Sequence, residues 1–410
     1  MRSTFMVLRN GMRVCIYSYP QLESVGVAVG VNYGSVDDRE AINGAAHFVE
    51  HMLFDGTRNR SSNQLEEAVR GMGANWDAFT TFENTVYYLQ GYRGYFETMV
   101  ELLSDMIKNS TFPKKQFVLE RGPIINENLI SQDNADGFFT DNFTRALYEK
   151  HPARLPVGGG TKEGIERIKR GDLVRIYQKY YTPRNMVLVI YGNIRIGKAK
   201  EVSLRYFGDF RRKYVPKRRK VVGEAQVRRE IVVHKENLRH AIIGIGFKCA
   251  EFKASRAKEF AAMLVISKIL QYRLFDEVRD KRGLSYDPGS AYYAYSTFAF
   301  IAAQAGTEPS NISETKRIML RELQKLQEGR ISRREVKNAR EELSIQYRVL
   351  RDDTLEMANA VASYTLVTGD YKFVERLPAL LKAVSLEDVR AYCKRYIHAN
   401  RYGLLVLRPE

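Results

Sequence analysis

A stretch of the chain occurs twice. Val174, Arg175, Tyr177, Lys179 and Tyr181 recur as Val389, Arg390, Tyr392, Lys394 and Tyr396, a constant offset of 215 residues in a chain of 410. Asn185 matches Asn400, and each is followed by an apolar run, Met186 to Ile190 and Gly403 to Leu407. A helix-turn-strand unit therefore closes each half, and duplication at half the chain length means two similar domains rather than a solenoid of short repeats. The expected division is 1–210, a basic linker at 211–228, and 229–410.

Each half reads as strands followed by runs of helices. In the first, Arg13 to Tyr17 and Ser24 to Tyr33 alternate or run apolar like paired strands, and Thr80 to Gln90 is rich in Thr, Val and Tyr. Helical patterns cover about Ser62 to Gly71, Tyr95 to Asn109 and Lys114 to Ile130. The second half repeats the order, with strands at Ile231 to Val233, His240 to Phe247 and Ala291 to Gln304, and a helix over Ala257 to Val278. This order predicts an α+β fold of two homologous domains, each a mainly antiparallel sheet with helices packed on one face.

Within the first half, His47-Phe48-Val49-Glu50-His51 places two imidazoles four residues apart, with a carboxylate between them. On a helix of about 3.6 residues per turn, positions i, i+3 and i+4 share one face. His47, Glu50 and His51 then look one way, and Phe48, Val49, Met52 and Leu53 anchor the other. The order inverts the His-Glu-x-x-His zinc helix. The second half has no such pair, so only one half can carry the chemistry. Catalytic zinc takes three protein ligands and keeps one position open. Two candidates for the third, Glu120 and Glu127, lie two helical turns apart; one could bind metal while the other hydrogen-bonds a ligand imidazole. Gly122-Pro123 falls between them, and a proline there predicts a kink or a restart of the helix.

Composition narrows the remaining classes. The formal charge of +17 is concentrated in part at Arg211 to Lys220, which reads as a solvated linker because it holds one aromatic, a proline and a mid-chain position. No specific nucleic-acid partner is expected from charge alone. There is no apolar run long enough for a membrane span and no secretory or targeting segment at the start, which favours a cytoplasmic protein. Cys15, Cys249 and Cys393 lack metal-ligand spacing and read as structural thiols. Gly158-Gly159-Gly160 lacks the strand-loop-helix setting of a phosphate cradle.

Longer signatures join these features. Leu8-x-Asn10-Gly11, Tyr33-Gly34-Ser35, and Gly44-x-Ala46-His47-Phe48-x-Glu50-His51-Met52-x-Phe54-x-Gly56-Thr57 follow in order. Asp77-Ala78-Phe79-Thr80-Thr81, Thr182-Pro183-x-Asn185-Met186 and Gly192-Asn193 come later. Over essentially its whole length the chain resembles the pitrilysin, insulin-degrading-enzyme and mitochondrial-processing-peptidase clan of zinc metallopeptidases, the inverzincins. The resemblance implies one Zn2+ per chain held by His47, His51 and Glu127, with Glu50 as general base and Glu120 as a supporting acid. It also implies that Arg279 and Tyr286, seven residues apart, hold the substrate carbonyl. Peptide would add as a strand along Ala78, Phe79 and Thr80. Asp77 stands where the family usually has Asn.

The expected activity is endopeptidase hydrolysis of peptides or extended segments in an enclosed chamber. A chain of this length would supply half of the family's clam-shell, so a homodimer or a pair with a related subunit is implied. The rival reading is a non-catalytic core subunit of the same family.

Overall fold

The computed structural model describes residues 2–211, 218, 221 and 223–410. Most of the basic run, residues 212–217 with Arg219 and Lys220, lies outside them. The strands are β1 (Arg2–Val7), β2 (Arg13–Ser18), β3 (Ser24–Val31), β4 (Asn75–Thr80), β5 (Thr85–Tyr92), β6 (Met186–Gly192), β7 (Arg229–Lys235), β8 (Ala241–Cys249), β9 (Gly289–Ala294), β10 (Ala299–Thr307) and β11 (Gly403–Pro409). The helices of the first half are α1 (Ala45–Met52), α2 (Ser62–Gly71), α3 (Phe96–Asn109), α4 (Lys114–Asp133), α5 (Ala135–Leu147), α6 (Lys162–Arg167), α7 (Arg170–Tyr180) and α8 (Ile196–Phe207). Those of the second are α9 (Ala257–Leu274), α10 (Ile312–Gln327), α11 (Arg333–Val349), α12 (Thr354–Thr368), α13 (Phe373–Lys382) and α14 (Leu386–Tyr396).

Two sheets form, ordered β1-β2-β6-β3-β5-β4 and β7-β11-β8-β10-β9. The repeated segment explains their likeness. In one sheet β6 runs parallel to β2 and antiparallel to β3; in the other β11 runs parallel to β7 and antiparallel to β8. The remaining neighbours are antiparallel. Three sequence expectations are corrected here. β2 and β3 do not pair, because β6 inserts between them from far along the chain. Thr80 to Gln90 is not one strand: Thr80 ends β4, and a turn separates it from β5. Ala291 to Gln304 is likewise the β9-β10 hairpin. Period-2 patterning does not see a tight turn that keeps the alternation in phase.

The chain divides into two compact units: Met1–Leu129 with Leu155–Arg219 and Val349–Val374, and Ile130–Arg154 with Lys220–Arg348 and Glu375–Glu410. Each sheet therefore carries one helix from the other half of the sequence. In the first unit, one face of the sheet packs Val14, Ile16, Val27 and Val29 against helices of its own half. The opposite face, with Tyr17, Ala28, Val189 and Tyr191, is covered by Met357, Ala358, Val361 and Ala362 of α12. Small residues on β3 make room: a Cβ on Gly26 would stand 2.3 Å from the Thr354 carbonyl oxygen, and one on Gly30 would stand 2.9 Å from Leu366. The second unit repeats the device on β8, where Cβ atoms on Gly244 and Gly246 would collide with Phe139 and Phe143 of α5. Glycine in a buried strand marks such close approach.

The linker expectation also needs correction. Arg218 is mostly buried, with ion pairs to Asp37 at 3.1 Å and Glu83 at 3.3 Å. The Asp37 side chain is 5% exposed and that of Glu83 0%, and burying them requires a counter-charge, so this arginine is drawn out of solvent. Further on, Glu224 accepts backbone N–H groups of Glu149, Lys150 and His151 at 2.6–2.9 Å.

Candidate metal centre

Helix α1 is anchored as its pattern predicts: Phe48, Val49, Met52 and Leu53 are fully buried. Its start is unusual. The N-cap is Gly44, in the left-handed region at φ 101°, and glycine has no side chain to cap with. Asp38 does this from outside the helix, its Oδ2 accepting the Gly44 N–H at 3.0 Å and the Ala46 N–H at 3.2 Å. Tyr33 donates its hydroxyl to the other oxygen at 2.7 Å. Burial nevertheless pushes the Asp38 carboxyl up to about 7.

The glycine run at 158–160 closes against the same helix end. A Cβ on Gly44 would stand 2.8 Å from the Gly159 carbonyl oxygen, and one on Gly160 would stand 2.4 Å from the Asn43 oxygen. Asn128, the residue after Glu127, donates to the Gly160 carbonyl at 2.6 Å. The glycines therefore let the metal helix and the Glu127 helix share one backbone contact.

Helix α4 runs unbroken from Lys114 to Asp133 with Pro123 inside it, so the expected restart does not occur. Gly122 and Pro123 are exposed, and so is Leu119, whose carbonyl loses its partner and is left beside solvent. Ile124 and Asn128 are buried, and Phe117 stacks on Phe48 at 5.1 Å, fixing the helix against α1. Glu120 and Glu127 thus face the two histidines together.

His47 Nε2 and His51 Nε2 are 3.3 Å apart, and Glu127 Oε2 lies 3.5 Å from the first and 3.4 Å from the second. These three form the only metal-competent cluster of His, Cys, Asp and Glu side chains among the described residues. Tetrahedral zinc with donors at about 2.0–2.2 Å needs donor-donor edges of about 3.3–3.6 Å, so the triangle fits such an ion and leaves a fourth position. Glu120 Oε2 lies 3.1 Å from His51 Nδ1, which keeps that proton and turns Nε2 toward the cluster. His47 Nδ1 is buried without a hydrogen-bond partner.

The electrostatics agree with a cation site. Burial, then the neighbouring His51, pushes His47 down to about 4, so it is a neutral donor. Burial alone would lower His51 too, but the carboxylates of Glu120 and Glu127 hold it up near 10. Glu127 is held below the usual carboxylate range by its hydrogen bond from His51. A positive charge is favoured where these groups meet.

Glu50 is 6% exposed and does not face bulk water as a solvated helix face would. Thr80 donates a short hydrogen bond to its Oε2, and burial pushes its pKa up to about 7. Thr80, Phe79 and Ala78 lie on β4, the edge of its sheet, bonded to β5 alone. The cleft of about 510 Å3 beside the cluster is walled by Phe54, Trp76, Asp77 and Ala78. Arg279 and Tyr286 belong to the second unit. Arg279 sits in a π-helical turn, Phe275–Asp280, with its guanidinium 4.6 Å from the Tyr286 ring centre, and Tyr286 is 83% exposed. Sequence reasoning missed Asp38 as the external cap and Thr80 as the partner of Glu50. An acid shortly before a glycine-started helix was the available signal for the first.

Residues 13–160 match the insulinase family (peptidase family M16), and residues 167–343 match the peptidase M16 inactive domain. An uncharacterized zinc protease of Bacillus subtilis, YmxG, is 26% identical over 405 residues, covering 98% of this chain and 97% of the relative. An uncharacterized zinc protease of Streptomyces coelicolor is 27% identical, covering 98% and 88%. A protease from Helicobacter pylori superposes with a TM-score of 0.91 at 20% identity, over 100% of this chain and 99% of that one. A peptidase M16 inactive domain from Pseudomonas fluorescens gives 0.88 at 16%, over 100% and 98%. With both domain types matched in order along its length, the chain belongs to the M16, insulinase-type peptidase family.

Proposed function

We propose that the chain is a zinc-dependent endopeptidase acting on extended peptide segments, with one ion per chain held by His47, His51 and Glu127. The observation that carries this reading is the three-donor cluster of His47, His51 and Glu127, with the buried Glu50 carboxyl beside it and outside the ligand set. When bound, the ion supplies a Lewis acid for water and the scissile carbonyl. Glu50, outside the ligand set, takes the water proton and delivers it to the leaving amine, a task suited to a pKa near the working pH. Thr80 orients that carboxylate from the strand that substrate would extend. The free edge of β4 offers unpaired N–H and C=O groups to an extended peptide, so recognition is largely through backbone. Arg279 and Tyr286, by the family resemblance, hold the developing oxyanion, and assembly with a second copy or a related chain accompanies that role.

Glu50→Gln is expected to abolish cleavage of a quenched peptide while bound zinc stays near one per chain; Glu127→Gln is expected to lose the zinc. Full activity in a zinc-replete Glu50→Gln protein would remove Glu50 from the mechanism. A non-catalytic core role is the second reading, favoured by the match of residues 167–343 to an inactive domain. That match lies outside the segment bearing Glu50 and the three ligands. Purified protein that binds zinc yet cleaves no peptide would establish the core role instead.

A further inference from the structure

The turn after β4 fixes which backbone groups of that strand face outward. The Thr81 N–H donates to the Asn84 carbonyl at 2.7 Å. In an antiparallel pair, hydrogen-bonded positions alternate with positions that are not. Counted back from Thr81 and Asn84, residues Phe79, Asp77 and Asn75 are the ones bonded to Val86, Tyr88 and Gln90 of β5. Thr80, Ala78 and Trp76 therefore turn their N–H and C=O groups to the open edge.

The middle donor of that edge is taken. The Ala78 N–H donates to Oδ1 of Asp77, its own neighbour in the chain, at 2.8 Å. Both residues line the cleft beside the metal cluster. An ionised acceptor makes a stronger hydrogen bond than a neutral carbonyl. A backbone amide has one hydrogen and cannot serve Asp77 and a peptide carbonyl together. Peptide that extends β4 must therefore displace the carboxylate at this position. Tyr88 stands opposite Asp77 in the register, its hydroxyl within reach of the carboxylate, so the displaced side chain has another donor. Charged side chains on edge strands ordinarily keep other chains from pairing there. Asp77 does so through a contact that a single exchange of acceptor undoes.

We infer that Asp77 guards the substrate strand: its carboxylate occupies the Ala78 N–H until the backbone of an extended peptide replaces it. This rests on the reading of β4 as the strand that peptide extends, and adds to it a residue that sets how readily peptide docks. Only a segment that brings a backbone carbonyl into register with Ala78 removes the guard. Side-chain contacts elsewhere in the cleft leave it in place.

Trp76, the single tryptophan of the chain, precedes Asp77 on β4, so its fluorescence reports docking without turnover. The zinc-loaded Glu50→Gln protein is titrated with a neutral extended peptide, and with the same peptide N-methylated at each position in turn. Asp77→Ala in that background is expected to bind the parent peptide about three- to tenfold more tightly, because the edge no longer has to be uncovered. Asp77→Asn keeps an oxygen for the amide without the charge and is expected to fall between. One N-methyl position, the residue facing Ala78, should weaken binding and cancel the gain of Asp77→Ala. If such a position exists but Asp77→Ala gains nothing, the guard is overturned and the strand reading stands. A gain of the same size with every N-methyl peptide also overturns it, since lost charge rather than a freed amide would then be the cause. If no N-methyl position matters, peptide does not extend β4 and both fall.

Discussion

Glu120 and Glu127 meet one imidazole from its two nitrogens: Glu120 Oε2 lies 3.1 Å from His51 Nδ1, and Glu127 Oε2 lies 3.4 Å from His51 Nε2. One helix thus supplies both a metal donor and the group that orients another donor. The arrangement works only because α4 stays helical through Pro123.

Removing the orienting acid is expected to weaken zinc without removing it. Glu120→Gln leaves all three donors but loses the carboxylate on Nδ1, which typically lowers metal affinity about 10–100-fold. Competition with a chromophoric chelator measures it. Unchanged affinity would show that His51 is oriented by packing alone.

Gly160 occupies the left-handed region at φ 70°, and a Cβ there would meet the Asn43 oxygen at 2.4 Å and the Gly44 Cα at 2.5 Å. Both neighbours are backbone and cannot step aside. Gly160→Ala is expected to cost about 2–4 kcal/mol from combined strain and overpacking, read as a lower urea midpoint. Because the displaced backbone is the start of α1, zinc affinity should fall with it.

Asp38 is raised on folding, by burial, from 3.8 to about 7. A carboxyl shifted upward contributes stability that is full below its unfolded value and is lost as pH rises through the folded one. Asp38→Asn has no such titration. Its urea midpoint should therefore vary less than the parent's across that window, and parallel curves would assign the pH dependence to other groups.

Glu224 runs the opposite way. Burial works against its charge, but three backbone N–H donors hold it down at about 2. Its contribution is full above the unfolded value of 4.5 and is lost as pH falls through the folded one. Glu224→Gln should lower the midpoint at neutral pH by an amount equivalent to about 1–3 kcal/mol, with the gap closing as acid is added. A gap that persists in strong acid would point to lost packing rather than lost charge.

Much of the site was legible in the chain. The spacing of His47, Glu50 and His51 is local, and a helix converts it directly into a shared face. Glu120 and Glu127 are separated by two turns of one helix, so their common direction also follows from spacing. The duplicated Tyr177 and Tyr392 segments foretold two sheets with one connectivity. The hairpin turns after Thr80 and before Ala299 were not legible, because strand alternation continued across them. Nor was the burial of Arg218, whose partners Asp37 and Glu83 lie more than a hundred residues away.

The amino-acid order alone determined which side chains could bind a metal and which helix would carry them, because periodicity within one element needs no knowledge of its neighbours. Only the tertiary structure decided where Glu127 stands against the histidines, that Asp38 caps a helix with no cap of its own, and that α5 and α12 each cover a sheet of the other half. Those outcomes depend on which buried surfaces and unpaired polar groups satisfy one another across long separations. A glycine such as Gly26 or Gly244 records that such an approach occurs, but not which helix makes it.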